Sequence, residues 1–268
     1  MYQDYYGFRE PPFNITPDPR FLFFSHHHRE AFNHLLFGIK ERKGFIQITG
    51  EIGAGKTTLC RALLEQLGPE YRTALVLNPK MTSTQLIRTI LGELGLDNRV
   101  NDRVALLERL NGFLLDRARA GEEVLLILDD AQAMEPDLLE QVRLLSNLET
   151  NERKLLQIVL IGQPELRETL NRIEQLRQRI TVRYHLRPLD LQETAYYIHH
   201  RLQVAGADGR PVFGRWAIRA VHWHSRGVPR LINAISDKTL LAGYVAQTDR
   251  LRWKHVRRAV RELEGDVA

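Results

Sequence analysis

The chain of 268 residues has a single cysteine, Cys60, which excludes an internal disulfide and a thiolate metal cluster and leaves that side chain to pack in a helix. Long apolar runs are also missing. Stretches such as 124–128 and 158–161 fall far short of the ~20 residues needed to cross a bilayer. The polar and aromatic opening, residues 1–10, is unlike a signal peptide. The expectation is therefore a cytoplasmic protein, peripheral at the inner membrane only through partners. The sequence contains no internal repeat and no low-complexity segment. Charge is only mildly one-sided, with 38 basic against 33 acidic residues, a net charge of +5 and a sequence pI near 9.4. That excess favours an acidic partner such as nucleic acid, anionic lipid or a nucleotide, and is too small to choose among them. With 43% hydrophobic residues the chain can bury a sizeable core, as one α/β domain with a smaller one attached.

What is present is ordered along the chain. The first stretch, with Tyr5-Tyr6-Gly7-Phe8, Pro11-Pro12-Phe13 and Pro17-Asp18-Pro19, is rich in aromatics and prolines and predicts an extended, packed arm. From Ser25 a helical period sets in, with Ala31, Leu35, Leu36 and Ile39 on one face, and Gly44 ends it. Apolar runs predict strands at 45–48, 73–77, 124–128, 155–161 and 181–186, separated by helical stretches. Strands alternating with helices imply an α/β fold: a three-layer core around a mostly parallel five-stranded sheet. Beyond Leu191 the pattern is helical only, over 193–204, 216–224, 229–246 and 249–263. The expected domains are an arm with the first helix (1–35), a nucleotide-binding core (36–190) and an all-helical lid (191–268).

The run Gly50-Glu51-Ile52-Gly53-Ala54-Gly55-Lys56-Thr57, followed by Thr58, fits GxxxxGK[ST] and lies between an apolar strand and an amphipathic helix. In that setting glycines turn backbone N–H groups toward phosphates and the helix start adds its positive dipole. Lys56 would reach the β- and γ-phosphates of ATP, and the Thr57 hydroxyl would ligate Mg²⁺. A second motif, Val124 to Asp130, is a buried strand ending in two acids. There Asp129 would hold Mg²⁺ and Asp130 would polarise the attacking water, although an acid in that place can also be a helix cap. Gln163, in Gly162-Gln163-Pro164, would orient water or serve only as a turn residue.

Three arginines, Arg177, Arg179 and Arg183, lie between a helix near 166–176 and the fifth strand, a place from which an arginine can reach a nucleotide on a neighbouring subunit. Arg230 follows a tight turn, Gly227-Val228-Pro229, in the first turn of a helix. A cation there opposes the helix dipole unless it faces an anion, so Arg230 is expected to reach back to the γ-phosphate.

Together these residues resemble the AAA+ ATPases of the ExeA/GspA group, which includes secretion ATPases beside exosortase loci and MshM-like pilus-biogenesis ATPases. The resemblance rests on Tyr6-Gly7-Phe8, Pro12-Phe13, Thr16-Pro17-Asp18-Pro19, the stretch 50–58, the stretch 128–132, Leu145-Ser146-Asn147-Leu148-Glu149, Gly162-Gln163-Pro164-Glu165-Leu166 and Gly227-Val228-Pro229-Arg230. It implies that Gln163 is sensor 1, that Arg230 is sensor 2, and that the aromatic arm helps cover the base. It further implies ring or partial-ring homo-oligomers and a role in envelope assembly or export, with inner-membrane export, pilus or secretion proteins as partners. Asp129-Asp130-Ala131-Gln132 departs from the Asp-Glu-Ala-Gln usual in that group, so the catalytic acid is one methylene shorter and hydrolysis is expected to be slow. Relatives of the secretion type continue into a membrane span, whereas this sequence stops at Ala268, so membrane contact is expected only through partners.

The histidines His26-His27-His28 and His199-His200 have no carboxylate or thiolate at ligand spacing and are expected to be solvated. The basic final helix predicts a solvated lid face, with DNA or anionic membrane contact as the lesser expectation. The leading expectation is an ATP-binding, ATP-hydrolysing AAA+ protein that energises secretion or export. The alternatives are a DNA-associated ATPase of transposition or replication-initiator type, and a nucleotide-dependent scaffold with little hydrolysis.

Overall fold

The computed structural model describes residues 1–14, 18–100, 102–150 and 153–265. Thr16 and Pro17 of the resemblance, and residues 266–268 of the expected lid, lie outside the described residues. The first half of the chain forms α1 (Tyr2–Tyr6), α2 (His26–Lys40), β1 (Phe45–Gly50), α3 (Lys56–Gln66), β2 (Tyr71–Val76), α4 (Ser83–Glu93), α5 (Arg103–Arg119) and β3 (Glu123–Leu128). Then come α6 (Pro136–Leu145), β4 (Gln157–Gly162), α7 (Pro164–Arg172), α8 (Glu174–Arg177), β5 (Ile180–Leu186), α9 (Leu191–Val204), β6 (Val212–Phe213), α10 (Arg215–Ser225), α11 (Pro229–Val245), β7 (Arg250–Leu251) and α12 (Trp253–Glu264). They fall into two compact units, one of residues 29–50 and 59–186, the other of residues 1–28, 51–58 and 187–268.

In the first unit the five long strands are all parallel, in the order β2-β3-β4-β1-β5. Burial follows position. Every residue of β1, β3 and β4 is buried, whereas β2 and β5 alternate, as edge strands do. Placing β4 between β1 and β3 pairs Thr49 with Gly162 and Leu128 with Leu160, so these three strands release their chains at one carboxyl edge of the sheet.

Successive strand residues face opposite ways, and both faces are covered. Phe45, Leu126 and Leu160 join a cluster with Leu86, Leu110, Leu139 and Leu166 from α4, α5, α6 and α7. Ile46, next to Phe45, meets α2. A Cβ added to Gly38 would come 2.7 Å from Ile46 Cδ1, so that crossing requires glycine. The three-layer α/β/α core is as expected, and Ala31, Leu35 and Ile39 form the buried stripe of α2.

In the second unit, α9 to α12 pack with the aromatic arm. Tyr6, Phe8, Phe13 and Phe21 are buried among Tyr197, Leu202, Ile232, Leu240 and Val256. The buried Arg201 donates from Nε to Pro12 O at 2.5 Å and from Nη2 to Asn14 O at 3.0 Å, tying an irregular backbone to α9. Two expectations are corrected here. The arm is not wholly extended: residues 2–6 contain no proline or glycine and close a helix, which Gly7 ends at φ 75°. Nor is the region beyond Leu191 free of strands, because β6 and β7 pair in parallel, Val212 with Arg250 and Phe213 with Leu251, and this holds residues 249–252 out of the last helix. Two-residue strands are too short to leave a period in sequence. Among the described residues no helix is long and apolar enough to cross a membrane.

Candidate functional site

The loop after β1 belongs to the second unit. Gly53 and Gly55 adopt φ of 79° and 96°, a region that side chains disfavour, and Ala54 N–H donates to Glu51 O at 3.1 Å to tighten the turn. Lys56 opens α3 and is buried, with Nζ donating to Glu51 O at 2.9 Å. Two outside groups fix the loop through its carbonyls. Arg230 N–H, in the first turn of α11, donates to Gly53 O at 3.2 Å, and a Cβ on Gly53 would lie 2.3 Å from Arg230 Cβ. The turn that delivers Arg230 needs Gly227 (φ 74°), whose Cβ would fall 1.9 Å from Leu189 O.

The second anchor is His28. The histidine run was expected to be solvated, but His28 is only 3% exposed. Its Nε2 lies 3.0 Å from Ala54 O and its Nδ1 2.8 Å from Ser25 Oγ. A carbonyl only accepts, so Nε2 carries the proton, and Nδ1 receives the Ser25 hydroxyl. Burial, the dominant cause, holds the imidazole below its ordinary pKa. The same run also has a carboxylate at helical spacing after all. Glu30, four residues past His26 on α2, accepts from Tyr184 Oη at 2.8 Å.

The acids belong to the first unit. Asp129 follows β3 at the carboxyl edge, buried, with its N–H on Val76 O at 2.9 Å and its Oδ1 accepting Asp130 N–H at 2.9 Å. Asp130 is exposed and left-handed, φ 52°, and caps no helix with its side chain. Gln132 links the neighbours. Its Nε2 donates to Asp130 Oδ1 at 3.2 Å and its Oε1 accepts Gln163 N–H at 3.0 Å. Gln163 stands at the start of α7 and makes no side-chain cap. On α3, Cys60 is buried as expected, and burial together with the Asp129 charge pushes its thiol up to about 12.

The arginines separate. Ile180 pairs with Phe45, so Arg177 and Arg179 precede β5 at the amino end of the sheet, opposite the edge from which Asp129 emerges. Half-buried Arg179 donates from Nη1 to Ser146 Oγ at 2.6 Å, whereas Arg177 is exposed and its side chain makes no hydrogen bond or ion pair among the described residues. Arg183 lies within β5, not before it, and its Nη2 holds Arg177 O at 2.6 Å.

Sequence reasoning missed His28, Ser25 and Gln132 as side chains that shape these segments. For His28 a signal existed: it stands three and seven residues before Ala31 and Leu35, on the buried stripe of α2.

A parallel sheet in this order, a glycine loop between β1 and α3 and paired acids after β3 define a P-loop ATPase fold of the AAA type. Residues 39–170, just under half of the chain, match the AAA domain family. The chain is 43% identical over 99% of its length to general secretion pathway protein A of Aeromonas hydrophila, which bears out the resemblance to the ExeA/GspA group. It spans 49%, about half, of that relative's length. Among solved structures it is similar to the Aeropyrum pernix ORC2 protein, with TM-score 0.72 and 18% identity over 95% of this chain and 72% of that one. It is also similar to the Thermotoga maritima RuvB Holliday junction branch migration motor, with TM-score 0.59 and 15% identity over 90% and 69%. At such identities these two show the fold alone.

Proposed function

We propose that the chain binds ATP with Mg²⁺ and hydrolyses it slowly, and that this energises the assembly or operation of a cell-envelope secretion system. The observation that carries the nucleotide reading is the loop 51–58. Its glycines hold positive φ, its carbonyls are taken by His28 and Arg230, and its end is the start of an eleven-residue helix. With its carbonyls engaged, the loop is left to present N–H groups and the helix dipole to phosphates. The ORC2 protein, which shares the fold, was solved in complexes with ADPNP and ADP.

The residues fit Mg²⁺. Thr57 and Asp129 offer the hard oxygens that this ion takes, and the chemistry it supplies when bound is neutralisation of phosphate charge. Lys56 would exchange Glu51 O for phosphate oxygens. Gly50, Glu51, Ile52, Gly53, Ala54, Gly55 and Thr58 shape the loop. Asp130 would accept the proton of the attacking water at Oδ2, the oxygen that Gln132 does not engage, and Gln163 would orient that water. Arg230 would neutralise charge developing on the γ-phosphate, and Arg177 would serve the nucleotide of a neighbouring copy. In this scheme residues 36–190 are the core and 191–268 the lid. Secretion is the role carried by the name of the relative, and its partners would be secretion proteins at the inner membrane.

The test is steady-state ATP hydrolysis at rising protein concentration, for wild type and Lys56→Ala. The proposal expects specific activity that grows with concentration and vanishes in the variant. Binding without turnover at any concentration leaves a nucleotide-dependent scaffold instead.

A further inference from the structure

The positive charge of this chain is concentrated in one segment. Residues 187–265 hold 14 basic and 7 acidic residues, whereas the remainder holds 24 and 26. The same segment contains all three tryptophans, Trp216, Trp223 and Trp253, which are 56%, 80% and 50% exposed. Burying an indole is worth about 2 kcal/mol or more, so three left in water on two helices call for an occupant.

The fold gathers them. Because β6 and β7 pair in parallel and each leads directly into a helix, α10 and α12 begin side by side. Their inward stripes, Ala217 and Val221 on one and Val256, Ala259 and Val260 on the other, are buried. The outward stripe of α10 is Trp216, Arg219 and Trp223, at i, i+3 and i+7, and that of α12 is Trp253, Arg257 and Arg261, at i, i+4 and i+8, flanked by Lys254 and Arg258. Between the first turns lies a hollow of about 530 Å³, lined by Gly214, Arg215, Trp216, Ala217, Arg252 and Trp253. Val212, 53% exposed, extends the apolar tip. No acid occurs on α10, and on α12 Glu262, the partner of Arg258 at 3.1 Å, and Glu264 stand at the far end.

We propose that this face docks directly on a bilayer surface carrying anionic phospholipid headgroups. Aromatic rings level with the headgroups and guanidinium groups on the phosphates suit such an interface, and each basic residue near it contributes about fivefold in affinity. The charge complements an anionic surface, and the surroundings of two of the three indoles favour lipid over nucleic acid. A stacking platform for bases needs open ring faces. Here the guanidinium groups of Arg215 and Arg219 lie 4.9 and 4.8 Å from the Trp216 centroid, and that of Arg257 lies 5.3 Å from Trp253. The contact is the protein's own, a lesser expectation for the basic final helix in sequence, and it stands independently of ATP hydrolysis.

The test is flotation of the full chain with phosphatidylcholine vesicles, with and without phosphatidylglycerol, alongside tryptophan emission, which reports only this face. Binding and a blue shift with phosphatidylglycerol alone, both weakening as salt rises, are the expected results. Arg257→Glu with Arg258→Glu should lower affinity by about twentyfold or more, and Trp216→Ser with Trp253→Ser should remove most of the shift, with helical dichroism unchanged. Equal binding to neutral vesicles, or no binding to either, overturns the proposal. Retardation of duplex DNA without vesicle binding also overturns it and makes the face a nucleic-acid surface. If a variant fails to fold, the wild-type lipid and salt dependence still decides.

Discussion

Replacing Gly53 by alanine strikes the loop at the point where Arg230 holds it. Two costs add. At φ 79° an alanine pays about 1–2 kcal/mol in backbone strain. Its Cβ would then sit 2.3 Å from Arg230 Cβ, against the ~3.5–4.0 Å that two carbons require. Both atoms are fixed to backbone, so no rotamer change separates them, and the Arg230 N–H bond to Gly53 O must lengthen, at about 1 kcal/mol. A loop distorted by roughly 3 kcal/mol should bind nucleotide about 100-fold more weakly in a titration with a fluorescent ATP analogue. The geometry also dictates which second change relieves it. Arg230→Ala keeps the Cβ and should rescue nothing, while in an Arg230→Gly background, which lacks it, Gly53→Ala should cost only about tenfold, the part due to φ. Equal rescue by both, or a Gly53→Ala protein within about threefold of wild type, would refute the contact as described.

Three further outcomes follow from single contacts. The His28 pKa is lowered in the fold, so as pH drops the unfolded chain takes up the proton first, and the stability this contact contributes is present above about pH 6.5 and lost below it. His28→Gln, whose amide can donate to Ala54 O, should bind ATP nearly as wild type yet lose less melting temperature between about pH 7 and pH 5.5, whereas His28→Ala should lose about 1–3 kcal/mol. An identical pH slope in wild type and His28→Gln contradicts this. With its thiol raised to about 12, Cys60 should react with a disulfide reagent near pH 8 about 1000-fold more slowly than free cysteine, and at the free rate in denaturant; prompt labelling of the native chain would show the thiol to be accessible. Arg179→Ala should cost about 1 kcal/mol by releasing the buried Ser146 hydroxyl, while Arg177→Ala should leave melting within about 0.5 kcal/mol and lower only concentration-dependent ATP turnover. Equal stability losses from the two would dissolve the distinction between them.

The sheet was legible because each central strand is a continuous apolar run and burial on both faces leaves no other solution. Its order was not legible, since β4 enters between β3 and β1, pairing with β1 across more than 100 residues, which no local pattern records. The glycine loop and paired acids announced themselves by residue type and by what flanks them. The groups that fix the loop did not. His28 meets Ala54 across 26 residues and looks in sequence like one of three solvated histidines, and only its place on the buried stripe of α2 sets it apart. The missed helix in the arm and the missed strands β6 and β7 have a common cause, because elements of two to five residues are stabilised by what they pack against and carry no period of their own.

Asp130 shows how a departure from a motif can have a backbone cause. Its φ of 52° is a conformation that aspartate and asparagine adopt far more readily than longer side chains, because their short polar groups bond locally, as Asp130 does with Gln132. Asp130→Glu therefore lengthens the acid and strains the turn by about 1 kcal/mol at once, and a change in its turnover reports both. Asp130→Asn separates them. It keeps the tolerance for the turn and removes the charge, so it should melt within about 0.5 kcal/mol of wild type, bind ATP with unchanged affinity and lose turnover. Wild-type hydrolysis by Asp130→Asn would remove this carboxylate as the acceptor of the water proton. Loss of ATP binding together with turnover would instead assign Asp130 to the loop's architecture.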